Sequence, residues 1–208
     1  MGLRKNSELE PLRPVVDRAL PRDAQGLITQ LRSPDVELRR WAARDLAAHP
    51  ESVRALGTHL QQEQDSSVRE ALFTSMGTIA TQDSVSALLP LLRRDDAQLR
   101  NRAIETLASM PRAVAPRIAA LLGDADVDVR IFTVNLLGEL RHEQVTQWLL
   151  GVLAHDRDVN VVAAAIDVLA EVGEPEHVAA LRAARQRFAQ DPFIGFAADV
   201  AIARIESP

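Results

Sequence analysis

The chain has 208 residues, of which 47% are hydrophobic and 25% charged, a balance that excludes a disordered chain and can supply a sizeable core. No apolar run approaches the roughly 18 residues of a membrane span, and the absence of cysteine excludes disulfides and zinc–thiolate sites. The net charge of −5 divides into +2 over residues 1–60 and −7 over residues 61–208, a balance that disfavours a nucleic-acid partner.

The first 21 residues precede any repeated pattern. Arg4 and Lys5 are not followed by an apolar stretch, so we expect no signal peptide and a cytoplasmic protein. Residues 7–20 are expected to form an extra helix within an N-terminal capping segment, residues 1–21, which would cover the open end of the stack. A cap is expected because a stack of repeats buries the apolar face of each repeat only against its neighbours.

From residue 22 onward one motif recurs: an aspartate, two variable residues, an aliphatic residue and usually an arginine. Successive aspartates are 30, 31, 30, 32 and 33 residues apart, at Asp35, Asp65, Asp96, Asp126, Asp158 and Asp191. Apolar residues follow each aspartate at helical spacing, and the aspartate is well placed to cap that helix. A shorter apolar stripe precedes each aspartate and predicts a first helix in every repeat.

These patterns predict an all-α protein, a right-handed α-solenoid of about six helix-turn-helix repeats. The expected repeats cover residues 22–51, 52–83, 84–112, 113–143, 144–175 and 176–208. Pro90, Pro116 and Pro192 are expected near helix beginnings, where the missing N–H does least harm.

The segment Leu121-Leu122-Gly-Asp-Ala-Asp126-Val-Asp-Val129-Arg130, followed by Leu136-Leu137-Gly138-Glu-Leu140, resembles HEAT repeats of the short type named after the phycobilisome lyases. The resemblance extends over residues 22–206. It implies a stack whose second helices line a concave surface, and such stacks mostly bind proteins there.

The repeated aspartates and arginines permit a catalytic or anion-binding interpretation and a structural one. Repetition favours the structural role, because catalytic groups do not repeat. The resemblance implies a partly buried ladder of charge-assisted hydrogen bonds between successive repeats. Its predicted members are Asp35, Arg39, Asp65, Arg69, Asp96, Arg100, Asp126 and Arg130. Val162 and Gly195 replace the arginine in the last two repeats, where the ladder is expected to end.

The positions 5, 6, 9 and 13 residues after each aspartate point away from the apolar stripe and predict a partner-binding ridge. Its predicted residues are Arg40, Trp41, Arg44, Glu70, Asn101, Arg102, Glu105, Ile131, Phe132 and Asn135, continuing to Phe196 and Arg204. Trp and Arg are frequent interface anchors, and exposed apolar pairs mark protein contacts. Alternatively, Trp41 packs under the N-terminal helix and Phe132 packs against an adjacent ridge.

Metal and cofactor chemistry have little support in the sequence. His142-Glu143 is a single pair, whereas iron-binding hydroxylases built from HEAT-like repeats use several, and a metal needs three or four convergent ligands. There is no Gly-rich phosphate loop and no nucleophile–base arrangement. We therefore expect no cofactor, no metal and no enzymatic activity.

Three functions remain open. The first is a non-enzymatic scaffold that binds a protein partner. The second, implied by the repeat type, is a bilin or tetrapyrrole lyase or a chaperone-like protein, although the lack of Tyr leaves little to hold a tetrapyrrole. The third is DNA binding, as in HEAT-like glycosylases, which the acidic ridge from Glu105 to Glu171 opposes.

Overall fold

A computed structural model describes residues 20–207 of the chain. Within that range it contains twelve α-helices and no strand: α1 (Ala24–Gln30), α2 (Val36–Asp45), α3 (Val53–Leu60), α4 (Ser66–Ile79), α5 (Gln82–Leu88), α6 (Ala97–Ala108), α7 (Pro111–Leu122), α8 (Val127–Glu139), α9 (Val145–His155), α10 (Val159–Val172), α11 (Val178–Arg187) and α12 (Pro192–Glu206). The capping helix predicted over residues 7–20 lies, except for Leu20, outside the described residues.

The helices form six consecutive pairs that stack into a solenoid. The second helices of the pairs are α2, α4, α6, α8, α10 and α12, and each packs against the next second helix along the chain. The first helices form an adjoining layer. The predicted all-α solenoid is confirmed.

The repeated aspartate starts every second helix. Asp35, Asp65, Asp96, Asp126, Asp158 and Asp191 are all N-cap residues with extended backbone conformation. Each carboxylate accepts a hydrogen bond from the backbone N–H two residues later, at 2.8–3.0 Å. Such a cap contributes about 1 kcal/mol because it satisfies a donor that the helix itself leaves free.

The apolar stripe of the second helices forms the core. The residue 11 positions after the aspartate is at most 1% exposed in the first five repeats, at Leu46, Met76, Leu107, Leu137 and Leu169. The next residue is always small. A Cβ on Gly77 would lie 3.2 Å from Ser109 Oγ, and one on Gly138 would lie 3.3 Å from Val168 Cγ2, both in the following repeat. The small residue therefore permits close approach of consecutive second helices.

Two of the three prolines do not lie where the sequence analysis expects them. Pro192 is the first residue of α12, as expected. Pro116, however, lies in the interior of α7. Pro90 lies in a 3-10 helix, Leu89–Arg93, that continues α5. Proline removes one backbone donor from the α-helical ladder, so the chain tightens into the 3-10 form after Leu88.

None of the twelve described helices has both the length and the apolar composition that crossing a bilayer requires.

Replacement of Leu137 by Ala tests the helix register. Leu137 is 1% exposed, so the truncation leaves a cavity between repeats, and we expect it to lower the free energy of unfolding by about 2–5 kcal/mol. Urea denaturation followed by circular dichroism measures the change. The control is Asn135→Ala, an exposed position on the same helix, which should be near neutral. Equal effects of the two substitutions would contradict the register.

Candidate partner-binding surface

The repeated arginines hydrogen-bond to the turn between the two helices of their own repeat. Each donates to the backbone carbonyl six residues before it: Arg39 to Ser33 at 2.9 Å, Arg69 to Glu63 at 2.7 Å, Arg100 to Arg94 at 2.9 Å and Arg130 to Asp124 at 2.9 Å. Within residues 20–207, none of the four guanidinium groups donates to the carboxylate of the capping aspartate four residues before it, and the two residues are joined only by the backbone bond of the first helical turn.

Two of these arginines also form two-bond ion pairs, here called clamps, with an acidic residue of the next repeat. Neither acidic residue is a member of the predicted ladder. Arg39 binds Glu63 with two bonds, Nε–Oε2 at 2.8 Å and Nη2–Oε1 at 3.1 Å. Arg130 binds Asp156 in the same way, at 2.8 and 3.3 Å. Both acids stand two residues before a capping aspartate. The acid in the turn, and not the capping aspartate, therefore receives the guanidinium at these two positions.

The position of this acidic turn residue can be recognised in the sequence. Glu63, Asp124 and Asp156 each precede the capping aspartate by two residues. In the third repeat that position is Arg94, and Arg69 instead approaches Asp96, with Nη1 and Oδ2 3.8 Å apart.

Arg100 differs from the other three arginines. The acid that it would meet, Asp124, is bound by Arg93 at 2.5 Å. The Arg100 guanidinium carbon instead lies 4.4 Å from the centroid of the Phe132 ring, and its buried Nε has no hydrogen-bond partner in the described structure. The half-buried Phe132 is therefore engaged in an intramolecular cation–π contact.

The predicted ridge residues all reach the surface or its edge. Arg44, Glu70, Asn101, Glu105 and Asn135 are exposed, whereas Arg40, Trp41, Arg102, Ile131 and Phe132 are half-buried. The structure adds a fifth outward position, two residues after each aspartate, which is exposed in five of the six repeats. We call the side chains at positions 2, 5, 6, 9 and 13 after the aspartate the B ridge.

The first half of the B ridge is aromatic and charged. Two guanidinium groups lie over the Trp41 ring, with Arg40 Cζ 5.9 Å and Arg44 Cζ 5.1 Å from its centroid. Arg102 joins two acids, with Nε 2.8 Å from Glu70 Oε2 in the preceding repeat and Nη1 2.7 Å from Glu105 Oε2. The charges of the second and third repeats thus largely neutralise one another.

The end of the B ridge is apolar. Phe193, Phe196 and Val200 on α12 are 63%, 68% and 48% exposed. They occupy positions 2, 5 and 9. At positions 2 and 9 the five preceding repeats carry only polar residues: Glu37, Ser67, Gln98, Asp128 and Asn160, then Arg44, Thr74, Glu105, Asn135 and Asp167.

Two members of this group, Phe193 and Val200, were not among the predicted ridge residues. Phe193 lies at position 2, which the predicted ridge did not include. Val200 lies at position 9 after Asp191, an outward position of the predicted pattern, so the repeat alignment already contained the signal for Val200.

The profile of HEAT repeats matches residues 24–108 and 114–192, well over half of the chain. The chain is a HEAT-repeat protein. Its repeats are short for the family, because the capping aspartates are 30–33 residues apart whereas HEAT repeats usually span about 40–47 residues.

Solved structures with a similar helical arrangement are distant. An archaeal HEAT-like repeat protein from Thermococcus onnurineus NA1 is 15% identical with a TM-score of 0.45, and the match covers 88% of this chain and 87% of the other. The complex of CpcE and CpcF of phycocyanin lyase from Nostoc sp. PCC7120 is 18% identical, with a TM-score of 0.39 and 85% of each chain covered. A designed armadillo repeat protein in complex with the peptide (KR)4 is 19% identical, with a TM-score of 0.42 and coverage of 88% and 99%. No curated protein sequence matches the chain.

His142, the candidate metal residue of the sequence analysis, stacks on Trp148, with ring centroids 5.1 Å apart and an interplanar angle of 24°. Across residues 20–207 no group of three or more His, Asp or Glu side chains has an arrangement that would hold a metal ion.

Glu63 is the most strongly perturbed acid of the HEAT repeats. It is 5% exposed, and its burial raises the pKa, but hydrogen bonds from Arg39, from the Asp65 N–H, from His59 and from the Gln64 N–H lower the pKa to about 2. The ionised carboxylate is thus strongly preferred in the folded protein.

This preference predicts a dependence of stability on pH. The pKa of Glu63 is about 2 in the folded protein, against 4.5 for an ordinary glutamate. Its contribution to stability is therefore complete above about pH 4.5 and is lost as the pH falls toward 2. Glu63→Gln should lower the free energy of unfolding by about 3 kcal/mol at pH 7, and the gap to wild type should close toward pH 2.

Urea unfolding at a series of pH values between 7 and 2.5 measures that gap. The control is Glu139→Gln, which removes an exposed carboxylate with no ion pair among residues 20–207 and should change stability little. A difference between Glu63→Gln and wild type that stays constant over this pH range would contradict the assigned role of Glu63.

Proposed function

We propose that this HEAT-repeat protein is a non-enzymatic scaffold that binds a protein partner along the B ridge. The exposed apolar group on α12 carries the proposal. Four large apolar side chains are exposed within residues 20–207, and Phe193, Phe196 and Val200 are three of them, adjacent on one helix. Contiguous apolar surface on a folded protein marks an interaction site, because its exposure to water is unfavourable.

The predicted ridge residues supply a second group of contacts for such a partner. Trp41 between Arg40 and Arg44 combines the two residue types that most often anchor protein interfaces. Asn101 and Asn135 are exposed between this cluster and the apolar end. The ridge therefore offers large anchoring side chains near both ends and polar side chains between them. Protein interfaces usually combine apolar and polar contacts in this way.

Charge favours a protein over a nucleic acid as the occupant. The B ridge of the fourth and fifth repeats carries Asp128, Glu139, Asp167 and Glu171. These carboxylates would repel a phosphate backbone.

A ridge-blocking variant tests the proposal. Thr74→Arg combined with Asn135→Arg places two long side chains at exposed centres of the ridge without touching the core. The matched control is Thr58→Arg combined with Gln147→Arg, which adds the same charge at exposed positions of the first-helix layer. Affinity capture from the lysate of the source organism, with cross-linking and mass spectrometry, measures binding.

We expect one or more proteins to be captured by wild type and by the control variant, and to be depleted about tenfold with the ridge-blocking variant. Cross-links should map to the second helices. A partner that the ridge-blocking variant retains, or that cross-links only to the first-helix layer, would contradict the proposal, as would capture of a pigment or nucleic acid alone.

A further inference from the structure

We infer that the C-terminal end of the B ridge selects a partner segment that presents apolar side chains next to lysine or arginine. This inference deepens the proposed function and rests on it. Two groups of residues carry it: the apolar stripe of Phe193, Phe196 and Val200, and the acidic flank of Asp128, Glu139 and Asp167.

The apolar stripe lies on one face of α12. Residues three and seven positions apart on a helix share a face, and this face is distinct from the one that packs into the core. The core face consists of Ile194, Ala198 and Ala201, each at most 1% exposed. The stripe therefore takes no part in the core packing of the described residues and is available to a partner.

An exposed ion pair joins α12 to α10 at the end of the ridge. Arg204 and Glu171, both at position 13, are joined by bonds of 2.5 Å (Nη1–Oε1) and 2.8 Å (Nη2–Oε2). About one helical turn earlier on the same faces lie Val200 and Asp167. The carboxylate of Asp167 thus belongs to the same surface as the apolar stripe, and Glu139 occupies the corresponding ridge on α8.

The acids of the flank have no intramolecular counter-ion. Asp128, Glu139 and Asp167 are exposed, and within residues 20–207 no Arg, Lys or His nitrogen lies within 4.0 Å of their carboxylates. Glu70 and Glu105, by contrast, share Arg102. The negative charge beside the apolar stripe is therefore free to attract a basic partner, which favours specificity and rapid association.

A second copy of the chain fits this surface poorly. A two-fold contact between two apolar stripes that aligned the two ridges would bring the two acidic flanks together. Stacking on the end of the solenoid is also disfavoured. The position eight residues after the aspartate, which packs against the next repeat, is apolar and buried in the first five repeats but is Asp199 in the sixth.

Two charge pairs cover that end. Asp199 Oδ1 lies 3.1 Å from Arg185 Nε, and Glu206 Oε1 lies 3.1 Å from Arg182 Nη2. A helix stacked there would bury these charges at a large cost. The occupant therefore approaches along the ridge, as a separate segment, and not as a further layer of the stack.

The test is selection from a displayed library of random peptides of about 16 residues, enough for four helical turns, with the full chain as bait. We expect the enriched peptides to combine at least two large apolar residues with two or more Lys or Arg. A representative peptide, and its copy with every Lys and Arg replaced by Gln, are then measured by fluorescence anisotropy against the wild type and three variants.

Phe193→Ser with Phe196→Ser should weaken the peptide about tenfold, whereas the control Val172→Ser, an exposed apolar residue outside the stripe, should have little effect. Glu139→Gln with Asp167→Asn should abolish the preference for the basic peptide over its Gln copy. Thermal unfolding verifies that each variant folds.

Five outcomes would overturn the inference. Enriched peptides that are acidic or uncharged, or that bind the Phe193→Ser/Phe196→Ser variant unchanged, refute it and leave the proposed function intact if the ridge-blocking variant still loses its partner. Failure to enrich any peptide, together with failure to capture any protein, refutes both. Dimerisation in light scattering that the same double variant abolishes assigns the stripe to a second copy. Co-sedimentation with vesicles of anionic and zwitterionic phospholipid that the variant abolishes assigns it to a lipid surface.

Discussion

The close stacking of consecutive second helices determines where every side chain of the B ridge lies. A repeat of this size cannot bury an apolar face alone, so each second helix takes its core partners from the helices on either side. The small residue at position 12 permits the close approach, and the apolar residue at position 11 fills the interior. What remains outside is a fixed set of positions, repeated once per helix, so six helices display an ordered row of side chains.

That row can vary because the core packing between repeats does not use it. The positions that face a neighbour are restricted to small or apolar residues, whereas the outward ones change from Trp41 and its arginines at one end to three apolar side chains at the other. A polarity gradient along a single surface distinguishes the two directions in which a segment can lie. Binding of a protein segment along the ridge would therefore have a defined orientation.

Much of the fold was predictable from the sequence because its signals are local. A capping aspartate and an apolar period of 3.6 residues act within one helix, and both recur six times. The pairing of the arginines was not predictable in the same way, since it depends on which side chain of the next repeat lies within reach. Pro90 and Pro116 were misplaced because tertiary packing tolerates a lost hydrogen bond inside a helix. Phe193 was missed because only the stacked structure shows that position 2 points outward, and Val200 was missed because an apolar residue in a helical pattern is ordinarily interior.

The interfaces between successive repeats, which we call joints and number along the chain, differ in how strongly ionic strength should weaken their arginine ion pairs. The first and fourth joints carry the two-bond clamps of Arg39 on Glu63 and Arg130 on Asp156, with side chains 15% exposed or less. The third joint relies on Arg93, whose side chain is 50% exposed, and the second on Arg69 and Asp96, with charged atoms 3.8 Å apart. Salt screens exposed charges far more than buried ones. Concentrated salt therefore weakens the charged contacts of the second and third joints, and that of Arg204 with Glu171 at the fifth, more than the two-bond clamps of the first and fourth joints.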